Sequence, residues 1–504
     1  MSKSRNLKSA LFFLTFLTTA FPLRAMNRGG AEERGDEVSL PKAPVAFMEK
    51  AEQEEDEGFD ETPAASGYDM TDLLVQAEQG DAEAQYQLAR RYKKGKGIEK
   101  DLAQAATYYE RAAAQGHVKA QCNLGVLYSK GEKGVKKNPL KAFELFQQAA
   151  DQGHKESQYN LAGLYRRGEG VEKNSDQAFR WFEAAAAQGD AEAQYALGWC
   201  ALERGFGYER AFQWFQKSAD QGYDQAQYIL GDFLFRIATG ASSAAQEEGL
   251  QTLSVEKAFK LLEAAAFQGY LKAQYNLGSY HREEGPKKDL RKSRFWFQKA
   301  ADGGDASAQF NLGVIFASGQ DVAQNLSKAF EYFERAAAQG HAGAQCNLAD
   351  LLVDGESVPQ DEPRATRLYT QAADQGNVAA QYILGVRYKR GQGVPQSFLK
   401  AVQYFERAAA QGHADAQLNL GVRYYNGEGV ERSLQEAARW FRKAATQGNR
   451  SAQFNLGSLY FHGEGVEKNV EKAKKWYLKA AAQGHPEAIK ALENLESPPA
   501  PHFS

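Results

Sequence analysis

Three cysteines in 504 residues are too few for a disulfide framework or a cysteine-ligated zinc cluster. A net positive charge is also missing. The formal net charge is -3, which leaves no basic footprint for nucleic acid. No apolar run reaches the ~20 residues that a membrane-spanning helix needs, and the best stretch, Ala10 to Phe21, is far shorter. Hydrophobic residues at 43% and charged residues at 25% nevertheless exclude a wholly disordered chain and a polytopic membrane protein. What the chain has in quantity is glycine, 47 residues, and much of it falls at a fixed period.

The N-terminus reads as targeting rather than fold. Lys3, Arg5 and Lys8 precede the apolar stretch, and Leu23-Arg24-Ala25 offers a small-residue cleavage point. That order predicts a secretory signal peptide over 1–25, with an N-terminal anchor helix as the competing reading. The first cysteine is Cys122, so none lies near the cleavage point to carry a lipid anchor. Across 26–70 the composition turns acidic, with thirteen Asp and Glu against Arg28, Arg34, Lys42 and Lys50. Glu52 to Glu57 is the densest run. With so little apolar surface to bury, this segment is expected to be a disordered linker. The mature chain is expected to be secreted or periplasmic, with no membrane span and no nucleic-acid partner.

Self-similarity governs the rest. The glycines of a recurring Gln-Gly pair stand at Gly80, Gly116, Gly153, Gly189, Gly222, Gly269, Gly304, Gly340, Gly376, Gly412, Gly448 and Gly484. The commonest step is 36, so twelve anchors bound eleven units. Gly303 replaces the glutamine at one of them. Each unit predicts a first helix such as Ala416–Tyr424, a glycine loop such as Gly427-Glu428-Gly429, and a second helix such as Glu436–Ala445. The closing glycine suits a helix C-terminus in the left-handed conformation. A glycine inside the first helix (Gly125, Gly198, Gly278, Gly313, Gly385, Gly421, Gly457) costs about 1 kcal/mol relative to alanine. Its recurrence, with Ala89, Ala162 and Ala349 in the same slot, predicts a close approach by the paired helix. One helix pair cannot bury its aromatic face alone, so the units must stack. The expected fold is an all-α solenoid of about eleven helix-turn-helix repeats with a C-terminal capping helix, Pro486 to Leu495, and an unstructured tail, 496–504. The breaks in period divide it into lobe one (71–235), an insertion loop (236–253), and lobe two with the cap (254–495). The insertion is either a binding loop or a tolerated surface feature, and the break could act as a hinge.

The pattern Ala-Gln-Tyr-Asn-Leu-Gly, Gly-x-Gly-Val, Ala-x-x-Trp-Phe-x-x-Ala-Ala-x-Gln-Gly resembles the SEL-like repeat (suppressor/enhancer-of-lin type), a tetratricopeptide-related family, over residues 71–495. The resemblance implies a right-handed α-solenoid serving as a scaffold or adaptor for a protein or peptide partner, with no cofactor. Many bacterial members are exported and act in envelope assembly, signalling or host contact. An exported, non-enzymatic interaction scaffold is therefore the favoured function. The alternatives are a β-lactamase-like hydrolase, since a few members have been described so, and an endoplasmic reticulum lumenal adaptor, which glycosylation at Asn325 or Asn449 would mark. The family's disulfide-rich members pair cysteines within a unit, and this chain lacks such pairs.

Each candidate site has a plainer reading beside it. Ser254-Val255-Glu256-Lys257 has the Ser-x-x-Lys spacing of a serine acylase, but Ser254 also stands where a second helix begins and suits an N-cap. His117, His154, His341, His413 and His485 share the slot after the inter-unit glycine, which Asp81, Asp190, Asp305, Asn377 and Asn449 fill elsewhere. Equivalent slots on stacked helices lie on the order of 10 Å apart, too far to share a metal ion, so capping is expected and no metal site. The three cysteines are expected to be packed, unpaired thiols. In related solenoids the residue two before the first-helix leucine often faces the groove. Here that row is Tyr86, Cys122, Tyr159, Tyr195, Tyr228, Tyr275, Phe310, Cys346, Tyr382, Leu418 and Phe454, edged by Lys93, Lys94, Lys130, Arg166, Arg167, Arg236, Arg282, Lys389 and Arg390. It could bind an extended, partly acidic peptide, or the aromatics could be core. The acidic segment 52–61 could itself occupy such a groove.

Overall fold

A computed structural model describes residues 70–132, 134–238, 255–282, 288–355 and 358–496. The proposed signal peptide, the acidic linker up to residue 69, most of the insertion, Ser254 and the C-terminal tail lie outside the described residues. Among the described residues there are 24 helices and no strands. They fall into two compact units, one ending at Leu277 and the other beginning at Gly278.

The first unit opens with the helix Met70–Glu78, which packs on the first helix of repeat one. Five helix pairs follow: Ala82–Lys94 with Leu102–Ala114, Val118–Lys130 with Pro139–Asp151, Lys155–Arg167 with Ser175–Ala187, Ala191–Glu203 with Tyr208–Asp220, and Asp224–Ala238 with Val255–Phe267. The helix Leu271–Arg282 carries the chain across the boundary. In the second unit Leu290–Asp302 precedes Ala306–Ser318 with Leu326–Ala338, Ala342–Asp354 with Glu362–Asp374, Val378–Arg390 with Phe398–Ala410, Ala414–Asn426 with Leu434–Thr446, and Arg450–His462 with Val470–Ala482. The helix Pro486–Glu496 closes it, burying Ala488 and leaning Ala491, Leu492 and Leu495 on the last pair. Within each unit a second helix packs on both its own first helix and the next one, which is the stacking of an α-solenoid.

The close approach inferred from the recurring glycine is present. A Cβ at Gly125, Gly198, Gly278, Gly313, Gly385, Gly421 or Gly457 would lie within 2.8 Å of the ring of Phe146, Phe215, Phe297, Phe333, Phe405, Phe441 or Tyr477 respectively. The slot is filled in repeat five by Gly231, which faces Leu262 instead of a ring. Van der Waals contact needs about 3.5 Å or more, so the aromatic ring of the second helix occupies the space a side chain would take.

The Gln-Gly pair does more than end a helix. In all eleven repeats a buried first-helix glutamine (Gln85, Gln121 and their equivalents to Gln453) donates to the alanine carbonyl eight residues before it, as Gln381 does to Ala373 at 3.0 Å. In ten repeats it also accepts from the glutamine of the closing pair, as from Gln411 Nε2 at 2.9 Å. Three helices are thus joined by one buried amide. Gln274 keeps its bond to Ala266 O at 2.8 Å, but its Oε1 has no partner. It belongs to the repeat whose closing pair reads Gly303-Gly304 in the sequence.

Candidate partner-binding face

The tyrosines of the expected groove lie mostly inside the stack. Tyr86, Tyr159, Tyr195 and Tyr228 are buried, as are Cys122 and Cys346, while Tyr275, Phe310, Tyr382, Leu418 and Phe454 are half-buried. Their rings meet the residue after the closing glycine. Tyr86 stacks on His117 at 4.6 Å between centroids, Phe310 on His341 at 4.6 Å, Tyr382 on His413 at 4.5 Å and Phe454 on His485 at 4.7 Å. Where the slot holds Tyr223 or Tyr270, Tyr195 and Tyr228 pack on those rings. Burial pushes the Tyr159 phenol well above its ordinary range, so it stays neutral.

The histidine slot is a helix cap. Nδ1 of His117, His341 and His413 accepts from the backbone N–H three residues on, at 3.1, 3.1 and 3.2 Å. Asp81, Asp190, Asp305, Asn377 and Asn449 make the same bond with a side-chain oxygen. His154, whose neighbouring repeat has Cys122 in place of an aromatic ring, makes no such cap and meets Ser157 Oγ at 3.0 Å. Among the described residues no group of histidine, cysteine or carboxylate side chains is placed to hold a metal ion. Cys122, Cys200 and Cys346 are buried thiols that form no disulfide. Burial raises the Cys200 thiol to about 11, which keeps it protonated and unreactive. Lys257, the lysine of the Ser-x-x-Lys spacing, donates to Gln216 Oε1 at 2.9 Å.

The cations stand at the C-terminal ends of the first helices. In the first unit Lys93, Arg166 and Arg167 are half-buried; Arg166 pairs with Glu203 at 2.7 Å, and Arg167 Nε meets Glu169 at 3.1 Å. In the second unit Lys389 is half-buried and Arg390 exposed. Lys389 donates to Asn419 Oδ1 at 3.0 Å. Burial, with Arg423 and Arg390 nearby, pulls the Lys389 amine below its ordinary range, while Glu428 opposes the shift. This is positive charge held together at an electrostatic cost.

One further set of residues on this face is polar. The asparagine after the aromatic slot recurs as Asn123, Asn160, Asn276, Asn311, Asn347, Asn419 and Asn455. Asn276 donates to Asp232 at 2.9 Å, and Asn311 accepts from Arg282 at 2.8 Å. Asn311 and Asn419 thus receive helix-end side chains of the preceding repeat, Arg282 and Lys389, while Asn276 meets Asp232 in mid-helix. The repeated Ala-Gln-Tyr-Asn motif contained the signal, but periodicity alone did not separate this polar slot from its core neighbours.

Among the described residues no helix is long and apolar enough to cross a membrane. The Sel1 repeat family model matches the chain in eleven consecutive segments, from 82–117 to 450–485. The chain is similar to c5321, a protective antigen present in uropathogenic Escherichia coli strains, at 31% identity over 87% of this chain and 100% of that one, with a TM-score of 0.65. It is also similar to a Sel1 repeat protein from Oxalobacter formigenes, at 33% identity over 63% of this chain and 90% of that one, with a TM-score of 0.51. No curated protein matches the chain.

Proposed function

The chain belongs to the Sel1 repeat family, and from that premise we propose that it is an exported, non-catalytic scaffold that holds an acidic stretch of a protein partner against its first helices. The observation that carries the reading is the cluster of Lys389, Arg390 and Arg423. Half-buried Lys389 lies beside Arg390 and Arg423, and Glu428, which pairs with Arg423, offsets only part of that positive charge, so a carboxylate from outside would relieve the remainder. Half-buried Tyr382 lies on the same first helix and offers a ring edge to an extended peptide. The Lys93, Arg166 and Arg167 side chains give the first unit a similar edge. Export is supported by the basic and apolar N-terminal segment, and by similarity to a protein described as a protective antigen, a kind of protein that host immunity meets.

The test is capture from envelope and host-surface extracts with the mature protein and with Lys389→Glu/Arg390→Glu, both checked for helix content by circular dichroism. A partner enriched by the wild type and lost with the folded variant supports the reading. Equal capture by both, or capture by neither, would sink it.

A further inference from the structure

Repeat three carries buried hydrogen-bond donors with nothing to receive them. Asn160 is 4% exposed and its Nδ2 has no partner. Both terminal nitrogens of Arg167 are likewise buried and unpartnered, although its Nε meets Glu169. The two residues lie seven apart on the helix Lys155–Arg167, hence on one face. Between them is Gly163, and Arg167 Nη1 lies 3.1 Å from where a Cβ of that glycine would be. The guanidinium is therefore folded back along the helix toward Asn160. An unmet buried donor is costly, and more so when charged. Basic residues at helix C-termini also complement the helix dipole. Lys94 and Lys130 end the two preceding first helices in the same way, but the dipole does not explain donors aimed away from the last carbonyls. The site lacks an acceptor, and a carboxylate fits a guanidinium with an amide beside it.

We infer that the acidic segment Glu52–Glu61 of this same chain is that acceptor, lying in cis across the first-helix ends of repeats one to three. Two observations favour this occupant over a foreign peptide. The described chain begins at Met70, whose sulfur lies 3.8 Å from Arg91 and whose methyl lies beside Gly97, at the C-terminal end of the first helix of repeat one. The segment therefore enters at the edge where Lys94, Lys130 and Arg167 stand. Reach is sufficient as well. Glu57 is thirteen residues before Met70, which can span up to about 45 Å, whereas two steps between neighbouring first helices cover about 20 Å. Charge is complementary, with five carboxylates between Glu52 and Glu57 facing three helix-end cations. Glu169 and Glu203 already engage Arg167 Nε and Arg166, so the segment adds to those pairs. This inference stands on the first unit alone and does not depend on the partner proposed above.

Zero-length carbodiimide cross-linking of the mature full-length chain, mapped by mass spectrometry, tests it. Amide links from Glu52–Glu57 to Lys94 or Lys130 are expected in the wild type. They should disappear in Asn160→Ala/Arg167→Ala and when the five carboxylates become amides. The Glu256–Lys260 link, whose groups lie 3.3 Å apart, serves as an internal control for folding and chemistry and should persist in all three. A mixture of isotopically light and heavy chains separates the sources. Links joining light to heavy overturn the cis assignment. Links spread over all lysines, no links from the segment, or links unchanged by Asn160→Ala/Arg167→Ala overturn the site.

Discussion

His341 and His413 each cap one helix through Nδ1 while stacking on the aromatic ring of the preceding repeat. The capping bond needs a neutral ring, because Nδ1 must accept. Burial lowers both imidazoles below their ordinary range, against opposing contributions from Asp305 and Asp415 respectively. The unfolded chain therefore binds protons at these sites before the folded chain does. Their contribution to stability is intact above about pH 6.5, the ordinary histidine value, and is lost as the pH falls through it. Asp350 acts in the opposite direction, because burial raises its carboxyl to about 6 and protonation below that favours the fold. A variant comparison cancels Asp350. His341→Asn/His413→Asn, which installs the cap already made by Asn377 and Asn449, should lose less stability than the wild type between pH 7 and 5 in urea titrations. Equal losses would mean that the rings do not titrate differently on folding. Some of this was legible in the sequence and some was not. The shared slot of histidine, aspartate and asparagine announced a cap, because only a short acceptor is common to all three. The recurring glycine announced a close contact, because nothing else repays its helix cost. The tyrosine row was harder to place, since recurrence at period 36 shows that a slot matters without showing whether its side chain meets water or the next repeat.

At the scale of the element, the first helices of repeats nine and ten break the apolar pattern. Leu127, Leu164, Ile315, Leu351 and Leu459 fill one core slot, yet Arg387 and Arg423 stand in it elsewhere. Arg387 is 5% exposed and is held by Glu362 of the preceding second helix, by Thr366 Oγ1 at 3.3 Å, and over the Tyr369 ring at 5.6 Å. Arg423 pairs with Glu428 and lies over Phe398. A buried ion pair adds little over a packed apolar residue, but removing one partner strands the other charge. Glu362→Ala should therefore destabilise the protein by about 2–4 kcal/mol, somewhat below the value for a fully buried pair because the glutamate is partly solvated. Arg387→Leu should fall within about 1 kcal/mol of the wild type, because leucine already suits the slot and the glutamate left behind reaches water. Chemical denaturation of the two variants decides. A costly Arg387→Leu beside a harmless Glu362→Ala would mean the guanidinium is there to pack, with the carboxylate incidental.

At the scale of the molecule, a chain whose repeats touch mainly their neighbours should tolerate the loss of a whole repeat if the new neighbours match. Residues 378–413 offer a stringent case within the second unit. Their removal joins Asn377 to Ala414, and the contacts re-form by register. Asn377 can cap the helix that starts at Ala414 as it caps Val378–Arg390. Gln417 inherits the Ala373 carbonyl that Gln381 now takes. Tyr382 and His413, which stack on one another, leave together, as do Gln411 and Gln381. Arg423 arrives in the slot of Arg387, with Glu362 still opposite. Only two 13-residue helices are lost. The shortened protein should keep a single cooperative melt with Tm lowered by only a few degrees, on the order of what a loss of about 1 kcal/mol produces. Hydrogen exchange over 414–485 should match that of the parent. A deletion starting and ending mid-helix, residues 384–419, removes the same number of residues but fuses Ile383 to Leu420 and restores the same register, so it should behave alike. If instead the first deletion unfolds while shorter single-helix truncations survive, the repeats are coupled beyond their nearest neighbours.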